Sequence, residues 1–460
     1  MSSDDRELQV GEIGLDRAQA SVDELAKTVG IEHPETLVAR DALVSALEAD
    51  RRFVEATIER ERLTDASARV LGRHALETLK RRDGLGMSYV AQGRYVDGLR
   101  VMSELDRYWQ QVRGEARARA IASQHFAVAL YHAGEWAAAA DASQTALDEH
   151  GSDPGSDFFV PTAIVLGTSL RRLGRVDEAV EVFGSALDSE IDLEPAQRRA
   201  LMTNLANCLW DRGELASAVE LEESVLNECR SEFGNEDART LQAMLNLGVS
   251  YFGLGDFAAA EALERDAVVG FEALLRPSHP SSATARLNLA ETLQRLGQVA
   301  EAESLLRTVL RDRTTELGDS HPDTLTATSA LALNLVLADR LDEALQLASD
   351  ASTALAEQLG ADHRSTLVAG VYAAEAAARL GGREDEALVG AIDALDSVVG
   401  SSAFEVRRAR YRLARLMLTR GRRSEAISIL EALRAVQVAA LPNGHPDIDE
   451  TDELLRGSRS

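Results

Sequence analysis

Two cysteines, Cys208 and Cys229, are all that 460 residues provide, too few for a disulfide framework. Both fall inside helical patterns and form no C-x-x-C pair, which reads as two buried thiols. Nine prolines leave long stretches free for helix, and aromatics make up only 4% of the chain. A core rich in Ala and Leu must then pack through small side chains. Basic residues are outnumbered, 49 against 76, for a formal charge of −27. That balance excludes a general nucleic-acid binder, because phosphate contacts need a basic face. No apolar run approaches the roughly 18 residues that a membrane span requires. The longest, Leu331 to Ala338, is interrupted by Asn334 and reads as a buried helix face. The opening MSSDDRELQV has neither a basic n-region nor an apolar h-region, so the expectation is a cytoplasmic protein with no secretory signal and no membrane partner. Catalytic signatures are missing too: no G-x-x-x-x-G-K-[ST], no H-E-x-x-H, no G-x-S-x-G. His125 and His132 stand seven apart on one helical face, without a third ligand. Neither an enzyme, a cofactor nor a metal is expected.

What the chain does have is repetition. NLANCLWDRGELASAVELEESVL starts at Asn204, NLGVSYFGLGDFAAAEALERDAV at Asn246 and NLAETLQRLGQVAEAESLLRTVL at Asn288, 42 residues apart. A turn glycine follows nine residues after each Asn (Gly213, Gly255, Gly297), and an alanine five residues later (Ala218, Ala260, Ala302). A fixed period of this length with helical spacing inside it signals a solenoid. The turn position recurs at Arg51, Gly93, Gly134, Gly174, Asp339, Gly381 and Gly421, making ten helix pairs. Its small residue recurs at Ala56, Gly98, Ala139, Ala179, Ala344 and Ala426, with Ala387 one residue late through an extra Gly382. Apolar residues eight and four before the turn, such as Leu331 and Leu335, form the buried stripe of each first helix.

Helix starts are spelled out at His33-Pro34, His279-Pro280, His321-Pro322 and His445-Pro446, since Pro is tolerated at the first helical position. His74-Ala75, Asp237-Ala238 and His363-Arg364 are related starts. Six of nine histidines thus occupy one structural slot, which points to capping rather than metal binding. Residues 11 to 32 read as the second helix of an incomplete leading repeat, and HPDIDETDELL opens a first helix that stays unpaired. Two connections are looser than the rest, Gly151 to Asp157 and the stretch around Leu193-Glu194-Pro195.

A turn followed by xxxEA, preceded by NLAxxLxxxG and followed by LGxxHPxTL, resembles the tetratricopeptide repeat (TPR). The match is to the 42-residue variety found in kinesin light chains and bacterial repeat proteins, and ELGDSHPDTL (Glu316 to Leu325) fits its inter-repeat signature. The resemblance implies an all-α, right-handed superhelical solenoid of about ten repeats. Residues 1–34 would be a tail and capping half-repeat, 35–440 a continuous solenoid, and 441–460 a capping helix and tail. It implies a scaffold whose first helices line a concave groove holding a protein or peptide. The alternative is a peptide-responsive regulator in a bacterial signalling pathway.

The groove wall should come from positions nine, six and three before each turn, which share one side of a helix. Those positions hold Asn204, Asn207 and Trp210, then Asn246, Val249 and Phe252, then Asn288, Glu291 and Gln294. Asparagine costs about 0.5 kcal/mol against alanine inside a helix, so three equivalent ones ask for a reason. Either their amides bond the backbone of an extended ligand, with Trp210 and Phe252 as apolar pockets, or they bridge to the neighbouring repeat. In the last unit Arg408, Arg412 and Arg415 fall on one face, suited to bidentate capture of carboxylates. Their acid is either a partner's or the chain's own tail, where Asp447, Asp449, Glu450, Asp452 and Glu453 lie close in sequence.

Overall fold

The ten turn positions all adopt left-handed backbone, including the two that are not glycine, Arg51 and Asp339, at φ of 59° and 61°. Such a residue reverses the chain after a helix, because its successor's N–H can then return to a carbonyl five residues back. Arg340 N–H does so to Leu335 at 2.9 Å, and Gln298 N–H to Leu293 at 2.8 Å.

A computed structural model describes residues 3–112, 116–150, 158–189, 192–276, 278–381 and 385–459, and of 3–13 and 149–150 the backbone only. Twenty-two helices and no strand occur among them. The chain divides into two compact units, Met1–Cys208 and Leu209–Ser460, within the tenth helix. The first begins with α1 (Ser3–Thr28), the expected unpaired leading helix, followed by α2 (Pro34–Ala49) and α3 (Phe53–Val70). Then come α4 (Leu76–Ala91) with α5 (Tyr95–Gln111), α6 (Ala116–His132) with α7 (Trp136–His150), and α8 (Phe159–Arg172) with α9 (Val176–Asp188). Pro195 opens α10 (Pro195–Arg212), and α11 (Leu215–Phe233) follows it. The second unit continues with α12 (Ala238–Leu254), α13 (Phe257–Leu274), α14 (Pro280–Arg295) and α15 (Val299–Leu317). It ends with α16 (Pro322–Leu337), α17 (Leu341–Leu359), α18 (Arg364–Arg379), α19 (Asp385–Val399), α20 (Phe404–Thr419), α21 (Arg423–Ala440) and the unpaired α22 (Pro446–Arg459). The loose connection at 151–157 and the extra Gly382 lie outside the described residues.

The small residue after each turn sits where two helices cross. Ala56, Ala139, Ala179, Ala218, Ala260, Ala302, Ala344 and Ala426 are each at most 1% exposed. At Gly98 even a methyl is too large: a Cβ there would stand 2.8 Å from Val90 Cγ2. The ninth pair corrects the sequence reading. Ala387 faces solvent, and Leu388, Ile392 and Leu395 form the buried stripe in its place. Their spacing repeats that of Ala344, Ala348 and Ala351, so the insertion moved the register by one residue more than expected.

Helix starts follow the histidines. Nδ1 of His279, His321 and His363 each accepts the backbone N–H two residues on, at 3.2 Å, and His445 at 3.0 Å. This satisfies a donor that the helix cannot. Asp237 does the same with a carboxylate at 2.9 Å. His74 does not cap: Ala75 holds that position, and the His74 ring stacks on Tyr108 at 4.7 Å.

Candidate functional site

Positions nine and six before the turn put Asn246, Val249, Asn288, Glu291, Tyr372, Glu375, Arg412 and Arg415 on the first helices of the second unit. Two of the asparagines, Asn204 and Asn246, bond within their own helices. Asn204, in the first unit, donates to the Ala200 carbonyl at 2.8 Å, and Asn246 accepts from Gln242 at 3.0 Å. The bridging asparagine is one the sequence reading passed over. Asn334, fully buried, donates to the Val299 carbonyl at 3.1 Å and accepts from Gln294 at 3.3 Å. Trp210 lies over Gly253, where a Cβ would come within 2.8 Å of its Nε1. Asn207, Asn246 and Asn288 are half-buried, while Val249 and Glu291 keep open surface.

The last helices of the second unit return to its first. The Phe252 ring, expected as a ligand pocket, meets Phe404 edge to face at 5.2 Å. His445 and Pro446 press on the Gly255 turn, where a Cβ would stand 2.4 Å from Pro446 Cδ. Beside them lies a charge cluster. Asp447 and Glu450, one turn apart at the start of α22, bind Arg295 of α14 at 2.6 and 3.2 Å. The same two carboxylates bind Arg408 of α20 at 3.0 and 2.7 Å. The tail thus supplies the acid for Arg408. Arg412 is held instead by Glu375 at 2.8 Å, and Arg415 is exposed with no ion pair or hydrogen bond among the described residues. No sequence signal marks Arg295, because its partner lies 152 residues away.

Burial dominates the electrostatics. It pushes the Arg295 guanidinium below its ordinary value, with Arg408 acting the same way and Asp447 and Glu450 opposing. Burial also lowers the His445 imidazole, against the pull of Asp447. Glu291, exposed in part, lines a recess; desolvation there, then the charge of Glu405, raises its carboxyl to about 7. That recess, about 70 Å³, is walled by Leu333, Tyr372 and Phe404 and rimmed by Arg295, Arg408 and Arg412. A second recess of about 260 Å³ opens on α16, α18 and α20, lined by Leu337, Glu375, Arg379, Arg412, Arg415, Leu416 and Thr419. Arg379 is fixed there by Asp339 at 2.8 Å and by the Val336 carbonyl at 2.6 Å. Among the described residues no helix is long and apolar enough to cross a membrane, and no group of His, Cys, Asp or Glu could hold a metal.

Tetratricopeptide-repeat family models match residues 197–272 and 281–357, and a further one matches 120–226. Aspartyl phosphate phosphatase F from Bacillus subtilis is similar in structure, with TM-score 0.53 and 12% identity over 79% of this chain and 94% of that one. The apo form of RapI gives TM-score 0.52 and 8% identity over 83% and 97%. A putative kinesin light chain from Podosopora anserina, with nearly identical TPR-like repeats, is 24% identical over 54% of this chain and 98% of that one, with TM-score 0.35. No curated protein matches this chain.

Proposed function

The chain is a tetratricopeptide-repeat protein, a class whose members bind protein or peptide partners, and we propose that it is a non-enzymatic scaffold holding an acidic peptide segment on α16, α18 and α20. Arg415 carries the reading: an exposed guanidinium without an acid, beside the pre-positioned Arg412 and Arg379, over the apolar Leu337 and Leu416. Arginine forks hold carboxylates with two parallel hydrogen bonds, and fixed neighbours reduce the entropy lost on binding. Asn246, Asn288 and Glu291 extend the same concave face as polar contacts for a longer ligand. Crosslinked affinity capture from the native cell tests this. Capture of one partner by the native chain, lost with Arg415→Glu while the melting curve is unchanged, is the expected result. Equal capture by both proteins overturns it.

A second reading, a peptide-responsive regulator in a bacterial signalling pathway, is favoured by the way the tail closes the second unit. A ligand that competes with this closure would change the unit's dimensions. Small-angle scattering with and without the captured peptide separates the two: a scaffold keeps its radius of gyration, and a regulator does not.

A further inference from the structure

We infer that Arg295 and Arg408 form a receptor for the acidic first turn of a helix, that α22 fills it in cis, and that a partner helix presenting two carboxylates one turn apart exchanges with α22. The site does not include Arg415, so it stands or falls independently of the scaffold reading, and it deepens the second reading, in which a ligand competes with the tail closure. Its two guanidiniums come from α14 and α20, helices far apart in sequence, and each binds both Asp447 and Glu450 between 2.6 and 3.2 Å. Carboxylates at i and i+3 share a helix face, so any helix beginning Asp/Glu-x-x-Asp/Glu presents the same pair.

The fit of α22 is incomplete. Asp447 is 1% exposed and the Arg295 side chain 7%, yet Asp447 Oδ2 and Arg295 Nε have no hydrogen-bond partner. A buried ion cluster recovers its desolvation only when every polar atom is matched, so this closure is held less firmly than its short distances suggest. The opposite end of α22 is anchored differently: Leu455 joins Ala414 and Leu430 in an apolar cluster with α20 and α21. The charged first turn is therefore the part that can be displaced. An incoming helix with longer or better-placed acids would satisfy Arg295 Nε, the orphan atom that stays behind on α14 when α22 leaves.

The probe is a labelled synthetic peptide of residues 444–459, which carries Asp447 and Glu450, used with the full chain. A full-chain Asp447→Asn/Glu450→Gln variant presents the two arginines without their acids. The peptide should bind this variant at least about tenfold more tightly than the native chain, with affinity falling steeply as salt rises. Adding Arg295→Gln, or using a peptide with the same two amide substitutions, should remove that gain. Equal binding to the native chain and the folded variant overturns the proposal, as does a gain that persists with Arg295→Gln. A variant that does not fold leaves hydrogen exchange of the native chain to decide. The amides of the first turns of α22 should exchange at least about tenfold faster than those of α16. Equal protection makes α22 a permanent strut and also overturns the proposal.

Discussion

The two units use one repeat, and both bury arginines, but among the described residues only the second buries carboxylates. The first buries the arginines Arg40, Arg81 and Arg199 and, among its described residues, no carboxylate. The second buries Arg286 and Arg407 and, with them, Glu222, Glu264, Glu375, Asp385 and Asp447. Positions nine and six before the turn diverge likewise. The first unit places Ala42 and Ser45, Gly84 and Met87, His125 and Val128, and Val165 and Thr168 there. The second places Glu291, Glu375, Arg412 and Arg415 among its own. The turn residue and the helix-crossing alanine are common to both units, because they are what the fold requires. Function is left to the positions the repeat does not constrain.

The sharpest way to break this comparison is pH. Glu264 is 1% exposed, its Oε2 has no hydrogen-bond partner, and burial raises its carboxyl to about 7 from 4.5. A value raised by folding means that the contribution to stability is complete below about pH 4.5 and is lost as pH climbs through about 7. At 1.36 kcal/mol per unit, this amounts to roughly 3 kcal/mol. Hydrogen exchange should show α12 to α14 losing protection between pH 5 and 8 relative to α4 and α6, after correction for intrinsic exchange. Glu264→Gln should flatten the difference, and an unchanged pH response in that variant refutes the assignment.

Overpacking should instead treat the units alike. Ala139→Leu in the first and Ala302→Leu in the second each force a longer side chain into a filled crossing, with an expected loss of about 1–3 kcal/mol in urea unfolding. An unchanged midpoint for either shows that the crossing has room to spare. Capping gives a smaller version of the same test. His321→Ala should lose about 1 kcal/mol, and His33→Ala less, since its Nδ1 contact is 3.4 Å against 3.2 Å. Equal losses would mean that the hydrogen bond is not the source.

The smallest effect is expected where a ligand is to be met. Asn246 bonds only a side chain on its own helix, and no helix depends on it for closure. Changing Asn246 and Asn288 together to Ala should leave stability unchanged or raise it by about 0.5 kcal/mol per site, as Ala is the better helix former. A drop above 1 kcal/mol in the melt would assign them to the fold and remove them from the binding face.

The sequence by itself determined the local elements: the ten left-handed turns, the crossing alanines, the histidine caps and the period. Each of these depends on residues within one repeat or its neighbour, and steric or hydrogen-bonding rules act at that range. Even so, one inserted residue defeated the count at Ala387, because the register of a buried stripe is settled by packing volume. Only the tertiary structure decided which candidate residues remain free. Phe252 is taken by Phe404, Arg408 by Asp447 and Glu450, and Arg412 by Glu375, while Arg415 is left open. Those pairings depend on small rotations summed over successive helix pairs, which bring Arg295 against a carboxylate 152 residues away. No single repeat encodes that sum, so no motif in the chain announces it.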